Sequence, residues 1–307
     1  MSTDESTTPQ RWFSSSLLPG PLDAPPPSID VQVEFGARSQ RGPSRSVSDD
    51  HYLILRLGRH METIMTSLPE GEVPQRFDES GYGIVIADGL GGSGETASRL
   101  AISTLAHLAI YFGKQHVRVD EPIAEEMIDR ARRFYRSIDS LLVETSKYGP
   151  SRLQTTLTAV YSAGTELFFA HVGHSRAYVF RDDQLMQLTH DRAVDRQPRG
   201  AAIVDAATRG RDLRHVVTET LGGAGSSAPR IDVERCGLLD GDVVLLCTDG
   251  LTDVAKDAQI ANVLRLHRTP DDQCRALVDL AANSGGQDDV TVVTAHYRIA
   301  SRSGDEE

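Results

Sequence analysis

Residues 83–94 read GIVIADGLGGSG: a short apolar run, then Asp88, then four glycines within six residues. The β-branched run is a buried strand, and Asp88 therefore stands at the rim of a sheet, only partly solvated. Glycine beside it lets backbone approach a ligand closely. The pattern recurs twice. Residues 243–247 (VVLLC) run into Thr248, Asp249 and Gly250, and in reverse order GGQDD (285–289) leads into VTVV (290–293). Any one Asp-Gly taken alone is an ordinary turn pair. Three acidic turns at the ends of strongly apolar strands point to converging carboxylates, which repel one another unless cations lie between them. Oxygen donors without a Cys or His cluster suit hard ions such as Mg²⁺ or Mn²⁺.

Outward from this stretch the pattern predicts strands at 29–35, 51–57 and 83–87, with 58–82 as a long connection holding at most one short helix. Leu100, Ile102, Leu105, Leu108 and Ala109 predict a helix over 93–112; Ile123, Met127, Ile128, Phe134, Ile138 and Leu142 predict another over 121–148. Glu125, Asp129, Arg130 and Arg133 are read as its solvated face. Strands at 155–162, 166–172, 177–181 and 185–188 form a hairpin meander, and strands at 243–247 and 290–296 with a helix at 269–282 complete the chain. Strands, two long helices, strands, helices and strands make an α+β plan, with helices covering sheets. Residues 1–28 hold six of the 14 prolines and are expected to be a disordered tail. The folded domain is expected over 29–299, with a polar excursion at 190–214 and a disordered end at 300–307.

The 307 residues carry 32 Lys+Arg against 44 Asp+Glu, a formal charge of −12. That balance argues against nucleic acid and against an anionic membrane surface as partners, since both require clustered cations. No run of eighteen apolar residues exists to cross a bilayer. The three cysteines, Cys236, Cys247 and Cys274, form neither a metal spacing nor a disulfide framework, so a reducing, cytoplasmic location is expected.

On these motifs the chain resembles the metal-dependent Ser/Thr protein phosphatases of the PPM, or type 2C, family, in its bacterial form. ADGLGGSGETAS (87–98) is similar to the family's A-D-G-M-G-G segment, and GARSQRGPSRSVSDDHYL (36–53) to its opening motif. QTTLTAVYSAG (154–164), HVGHSRAYVFRDDQLMQLTHD (171–191), VVLLCTDGLTD (243–253) and GGQDDVTVVTA (285–295) follow in family order. The resemblance implies a central β-sandwich of two antiparallel sheets flanked by helices, in α-β-β-α layers. It implies two Mn²⁺ or Mg²⁺ ions held by Asp88, the Gly89 carbonyl, Asp249 and Asp288, with Asp50 in an outer position and Arg45 gripping the substrate phosphate. Water between the two ions would attack phosphorus directly. The implied partners are phosphorylated proteins, with Ser/Thr kinases and their substrates among them.

Some residues depart from the family. His174 stands where an Asp helps to hold a third ion, so a third ion should bind weakly or not at all. This motivates a rival expectation, a catalytically weak phosphatase-like regulator that binds phosphoproteins or partner proteins. Ser48 and Asp49 replace Asn and Glu. Asp289 replaces Asn and adds a charge beside Asp288, facing either solvent or a neighbouring hydrogen-bond donor.

Two other motifs compete. GLGGSG (89–94) fits the dinucleotide fingerprint, but a second helix after the first leaves no βαβ unit. GHSRA (173–177) nearly fits a nucleophile elbow, but a strand rather than a helix follows Ser175.

Overall fold

The structure is a computed structural model that describes residues 30–69, 71–114, 116, 119–190, 219–223 and 228–300. The expected tail, and all but the first residue of both the excursion and the C-terminal end, lie outside the described residues.

Two antiparallel sheets pack face to face. One runs in the order β1 (Asp30–Gln40), β11 (Val290–Ala300), β10 (Val243–Cys247), β7 (Arg176–Arg181) and β8 (Gln184–Gln187). The other runs β2 (Asp50–Glu62), β3 (Arg76–Leu90), β5 (Leu157–Ala163), β6 (Glu166–Val172) and β9 (Asp232–Gly237), with the two-residue β4 (Gln154–Thr155) paired to the end of β3. Helices α1 (Gly94–Phe112) and α2 (Glu121–Ser146) cover the second sheet. Helices α3 (Asp249–Thr252), α4 (Asp257–Leu266) and α5 (Pro270–Asn283) cover the first.

The period of two along a strand explains why the central strands are apolar without interruption. Ile84 and Ile86 of β3 point between the sheets and meet Val244, Leu246, Val293 and Ala295. Val85 and Ala87, one residue out of phase, meet Ala97, Ala101, Ile138 and Leu142 under α1 and α2. In β10, Leu245 and Cys247 pack instead on Leu277, Val278 and Ala281 of α5. Cys247 is thus a core thiol. Ile138 and Leu142 are fully buried, and truncating either to Ala should cost about 2–5 kcal/mol.

Local chemistry starts the long helices where the sequence predicts them. Asp120 accepts from the Ile123 N–H at 2.9 Å ahead of α2, and Thr269 accepts from the Asp272 N–H at 3.2 Å ahead of α5. Both helices carry Pro in the first turn, where its missing N–H costs nothing.

Three expectations need correction. Residues 58–82 are not a long connection: β2 runs to Glu62 and β3 starts at Arg76, so most of the segment is a paired ribbon. In its outer half the β2 side chains are exposed, while Glu79 of β3 is buried beside Arg59, so backbone pairing forms the ribbon and no apolar alternation marks it. β9 and α4 were absent from the predicted elements. β9 is an edge strand of mixed charge, whereas Ile260 and Leu264 are spaced i, i+4 and were a readable signal for α4. Arg130 is not on the solvated face of α2. It is 8% exposed, with Nη2 2.9 Å from Glu126 Oε1. Among the described residues, no helix is long and apolar enough to cross a membrane.

Candidate metal and phosphate site

Antiparallel pairing brings the acidic turns to one end of the sandwich. β2 starts where β3 ends, so Asp50 is directly opposite Asp88. β10 ends where β11 begins, which places Asp249 and Asp288 at the same end of the other sheet. The sheets face each other, so the four carboxylates converge although up to 238 residues separate them in sequence (50 to 288).

Asp88 is fixed through its backbone. Its N–H donates to Thr156 Oγ1 at 3.0 Å, and its carbonyl accepts from the Thr156 N–H at 2.8 Å and Thr155 Oγ1 at 2.9 Å. The backbone bonds aim the side chain at the other carboxylates, where it shares a hydrogen bond with Asp249. Burial raises its pKa well above the usual carboxylate range, and the charges of Asp50, Asp249 and Asp288 add to the rise. Asp50 is 5% exposed. Burial pushes it up to about 7, against the opposing hydroxyls of Thr248 and Thr291. Asp50 Oδ2 accepts from Thr248 Oγ1 at 2.8 Å, while Oδ1 is buried with no hydrogen-bond partner.

Asp249 opens α3, and its Oδ2 lies 3.9 Å from His174 Nδ1. His174 sits in the β6–β7 turn, where Gly173 has a φ of 117° that only glycine adopts readily. Ser175 is buried, with its Oγ 2.9 Å from Thr156 Oγ1; it braces the turn behind Asp88. His171 lies 2.8 Å from Thr158 Oγ1 in the buried interior, away from His174.

Arg45, in the loop between β1 and β2, is ion-paired through Nη1 to Asp49 and through Nη2 to Asp288 Oδ1 at 2.7 Å. Burial opposes its charge, but Asp288, Asp49 and Asp289 outweigh that and raise its pKa. Asp49 also accepts the N–H of Glu95, so the loop caps the N-terminus of α1. Gly89 and Gly94 are pressed together: a Cβ on Gly89 would lie 1.9 Å from the Gly94 carbonyl oxygen.

The sequence left the setting of Asp289 open. It is 3% exposed and takes two backbone donors from the Arg45 loop, Gly42 N–H on Oδ1 and Asp49 N–H on Oδ2, both at 2.7 Å. The roles of Thr248 and Thr156 also emerge only here.

The donor set fits divalent cations. It is all oxygen, it gathers negative charge in a partly desolvated place, and it leaves a buried carboxylate oxygen without a partner. Among the described residues no three acidic, His or Cys side chains are already closed around one point, and Asp288 instead faces Arg45.

Four layers with carboxylates gathered where strand ends of both sheets meet define an α-β-β-α protein whose chemistry sits at one end of its sandwich. The chain belongs to the bacterial PPM (type 2C) family: the family described as Stage II sporulation protein E (SpoIIE) matches residues 78–298, more than half of the chain. Asp88, Gly89, His174, Asp249 and Asp288 lie inside that match; Arg45 and Asp50 precede it. The serine/threonine protein phosphatase PstP of Mycobacterium tuberculosis is 32% identical over 273 residues, which are 87% of this chain and 45% of that protein. The chain therefore spans about half the length of this relative. The serine/threonine phosphatase stp of Listeria innocua is 26% identical over 227 residues, 72% of this chain and 87% of that one. The PstP catalytic domain solved with two manganese ions superposes with a TM-score of 0.62 at 26% identity, covering 88% of this chain and all of that one.

Proposed function

We propose that this chain hydrolyses phosphoserine and phosphothreonine in proteins, using two Mn²⁺ or Mg²⁺ ions. One observation carries the reading: strand pairing brings Asp50, Asp88, Asp249 and Asp288 to one end of the sandwich, where Asp50 Oδ1 is buried without a hydrogen-bond partner. Such an arrangement is unfavourable in itself and is relieved by cations. Asp88, the Gly89 carbonyl, Asp249 and Asp288 would hold the ions, with Asp50 behind them. Bound there, divalent ions supply positive charge to phosphoryl oxygens and acidify water at neutral pH.

The chain's own residues do the rest. Arg45 offers a planar fork suited to two phosphate oxygens. Asp49 and Asp289 hold its loop in place, so the fork is oriented before substrate arrives. Its contact with Asp288 marks the position a phosphate would take over. The family supports phosphoproteins as substrates, and Ser/Thr kinases and their targets as the signalling counterpart. His174 beside Asp249 favours two ions over three.

Hydrolysis of para-nitrophenyl phosphate and of a phosphothreonine peptide with and without Mn²⁺ tests the reading. Asp88→Asn and Asp249→Asn should each lower turnover by at least about 100-fold, since each removes a charge that holds the ions. A wild-type chain that binds Mn²⁺ but turns over neither compound would sink the enzyme reading and leave the rival, a phosphatase-like regulator that binds phosphoproteins or partner proteins.

A further inference from the structure

We infer that a cavity beneath α1 and α2 is a binding site for an amphiphilic monocarboxylate, a medium-chain fatty acid. The cavity measures about 170 Å³ and lies between the C-terminal half of α1, the N-terminal half of α2 and the outer face of the β2-β3-β5-β6 sheet. Leu55, Leu105, Met127, Phe134 and Phe168 give it a hydrocarbon wall. None of the residues assigned to the carboxylate site lines it. Elsewhere in the same layer Ala97, Ala101, Ile138 and Leu142 are packed to zero exposure, so the void is local and not a looseness of the whole interface. A half-open pocket of this size with a hydrocarbon wall suits an apolar ligand.

Charge at its edge selects the kind of ligand. Arg130 and Lys114 both line the cavity, and Arg130 is 8% exposed. They share a single carboxylate, Glu126: Arg130 Nη2 lies 2.9 Å and Lys114 Nζ 2.7 Å from Oε1. His116 Nε2 is 3.8 Å from the other Glu126 oxygen, and burial, then Arg130, keep its pKa low, so it adds no full charge. Arg59, which also acts on His116, is neutralised by Glu79. Among the described residues, two cations, the buried Arg130 and the exposed Lys114, against one anion leave a positive charge over at the edge of an apolar cavity. An alkyl chain satisfies the wall, and a terminal carboxylate satisfies the guanidinium and ammonium together.

The test is titration calorimetry and thermal melting of the full chain with decanoate, at concentrations below its micelle formation, beside 1-decanol. Decanoate is expected to bind saturably and to raise the melting midpoint, with decanol about tenfold weaker. Ala106→Phe, which fills the cavity, should abolish binding of both while leaving the ligand-free midpoint at or above wild type. Arg130→Gln should reduce decanoate to the level of decanol. Where that buried substitution fails to fold, Lys114→Gln, on an exposed side chain, should reduce decanoate binding in the same direction. Absence of saturable binding overturns the inference, and so does unchanged binding in Ala106→Phe. Decanol binding as tightly as decanoate overturns the carboxylate.

Discussion

Asp50 stands directly opposite Asp88 in the β2–β3 ladder, and burial raises the pKa of both side chains. Two carboxylates facing each other across one rung are a destabilising pair in the ionised state. The fold keeps them through the hydroxyl of Thr248 on one and the backbone bonds of Thr156 behind the other. This relationship links stability to pH and to cations.

Without metal, the folded chain should bind more protons than the unfolded chain between the ordinary Asp range near pH 4 and the raised value of about 7 at Asp50. Stability conferred by these protonated groups is complete below pH 4 and is lost as pH rises through 7. Melting midpoints in EDTA should therefore fall between pH 5 and pH 8. Saturating Mn²⁺ should flatten or reverse the fall, because cations favour the ionised forms. Parallel curves with and without Mn²⁺ would show that these carboxylates are not a cation site.

Asp289→Asn should loosen the Arg45 loop. The carboxylate accepts one N–H on each oxygen, whereas an amide offers one acceptor and turns an NH₂ toward the second N–H. The lost bond and the buried, unmatched donor should cost about 1–3 kcal/mol. Kinetics should show a raised KM for phosphopeptide, since Arg45 sits on that loop. An unchanged melting midpoint would refute the clamp.

His174→Asp should create a third site for Mn²⁺. It replaces an imidazole 3.9 Å from Asp249 with a second carboxylate facing the same space. Calorimetric stoichiometry should move from two ions to three. A wild-type chain that already binds three tightly would refute this assignment of His174.

Gly89→Ala should disrupt the site where Gly92→Ala does not. A Cβ at position 89 would lie 1.9 Å from the Gly94 carbonyl oxygen, and one at position 92 meets nothing within 4 Å. Gly89 cannot retreat freely, because its N–H donates to the Asp49 carbonyl at 3.1 Å. The alanine should cost about 1–3 kcal/mol through forced backbone movement and should weaken Mn²⁺ binding. Equal melting and Mn²⁺ affinity in the two variants would contradict the close approach.

The layers of the fold were readable because their cause is local. Central strands buried on both faces leave unbroken runs such as 83–87 and 243–247, and the long helices carry their caps at Asp120 and Thr269. The β2–β3 ribbon was not readable. Its outer half is held by backbone hydrogen bonds, which every sequence can make, and its β2 side chains face solvent. Arg130 was misplaced because helical spacing reveals a charged face but not which of its members a neighbouring connection covers.

Within the site, the sequence by itself singled out the candidates for the chemistry: acidic residues in glycine-rich turns at the ends of apolar strands, in family order. Tertiary structure alone decided their company. Asp289 could have faced solvent; it is a buried clamp because a loop 240 residues away in sequence folds its Asp49 N–H onto it. Arg45 meets Asp288, and Asp50 meets Thr248, only when two sheets close on each other. Residue type and periodicity are properties of neighbours along the chain, whereas a pKa, a hydrogen-bond partner or a cavity depends on distances that exist only after the layers pack.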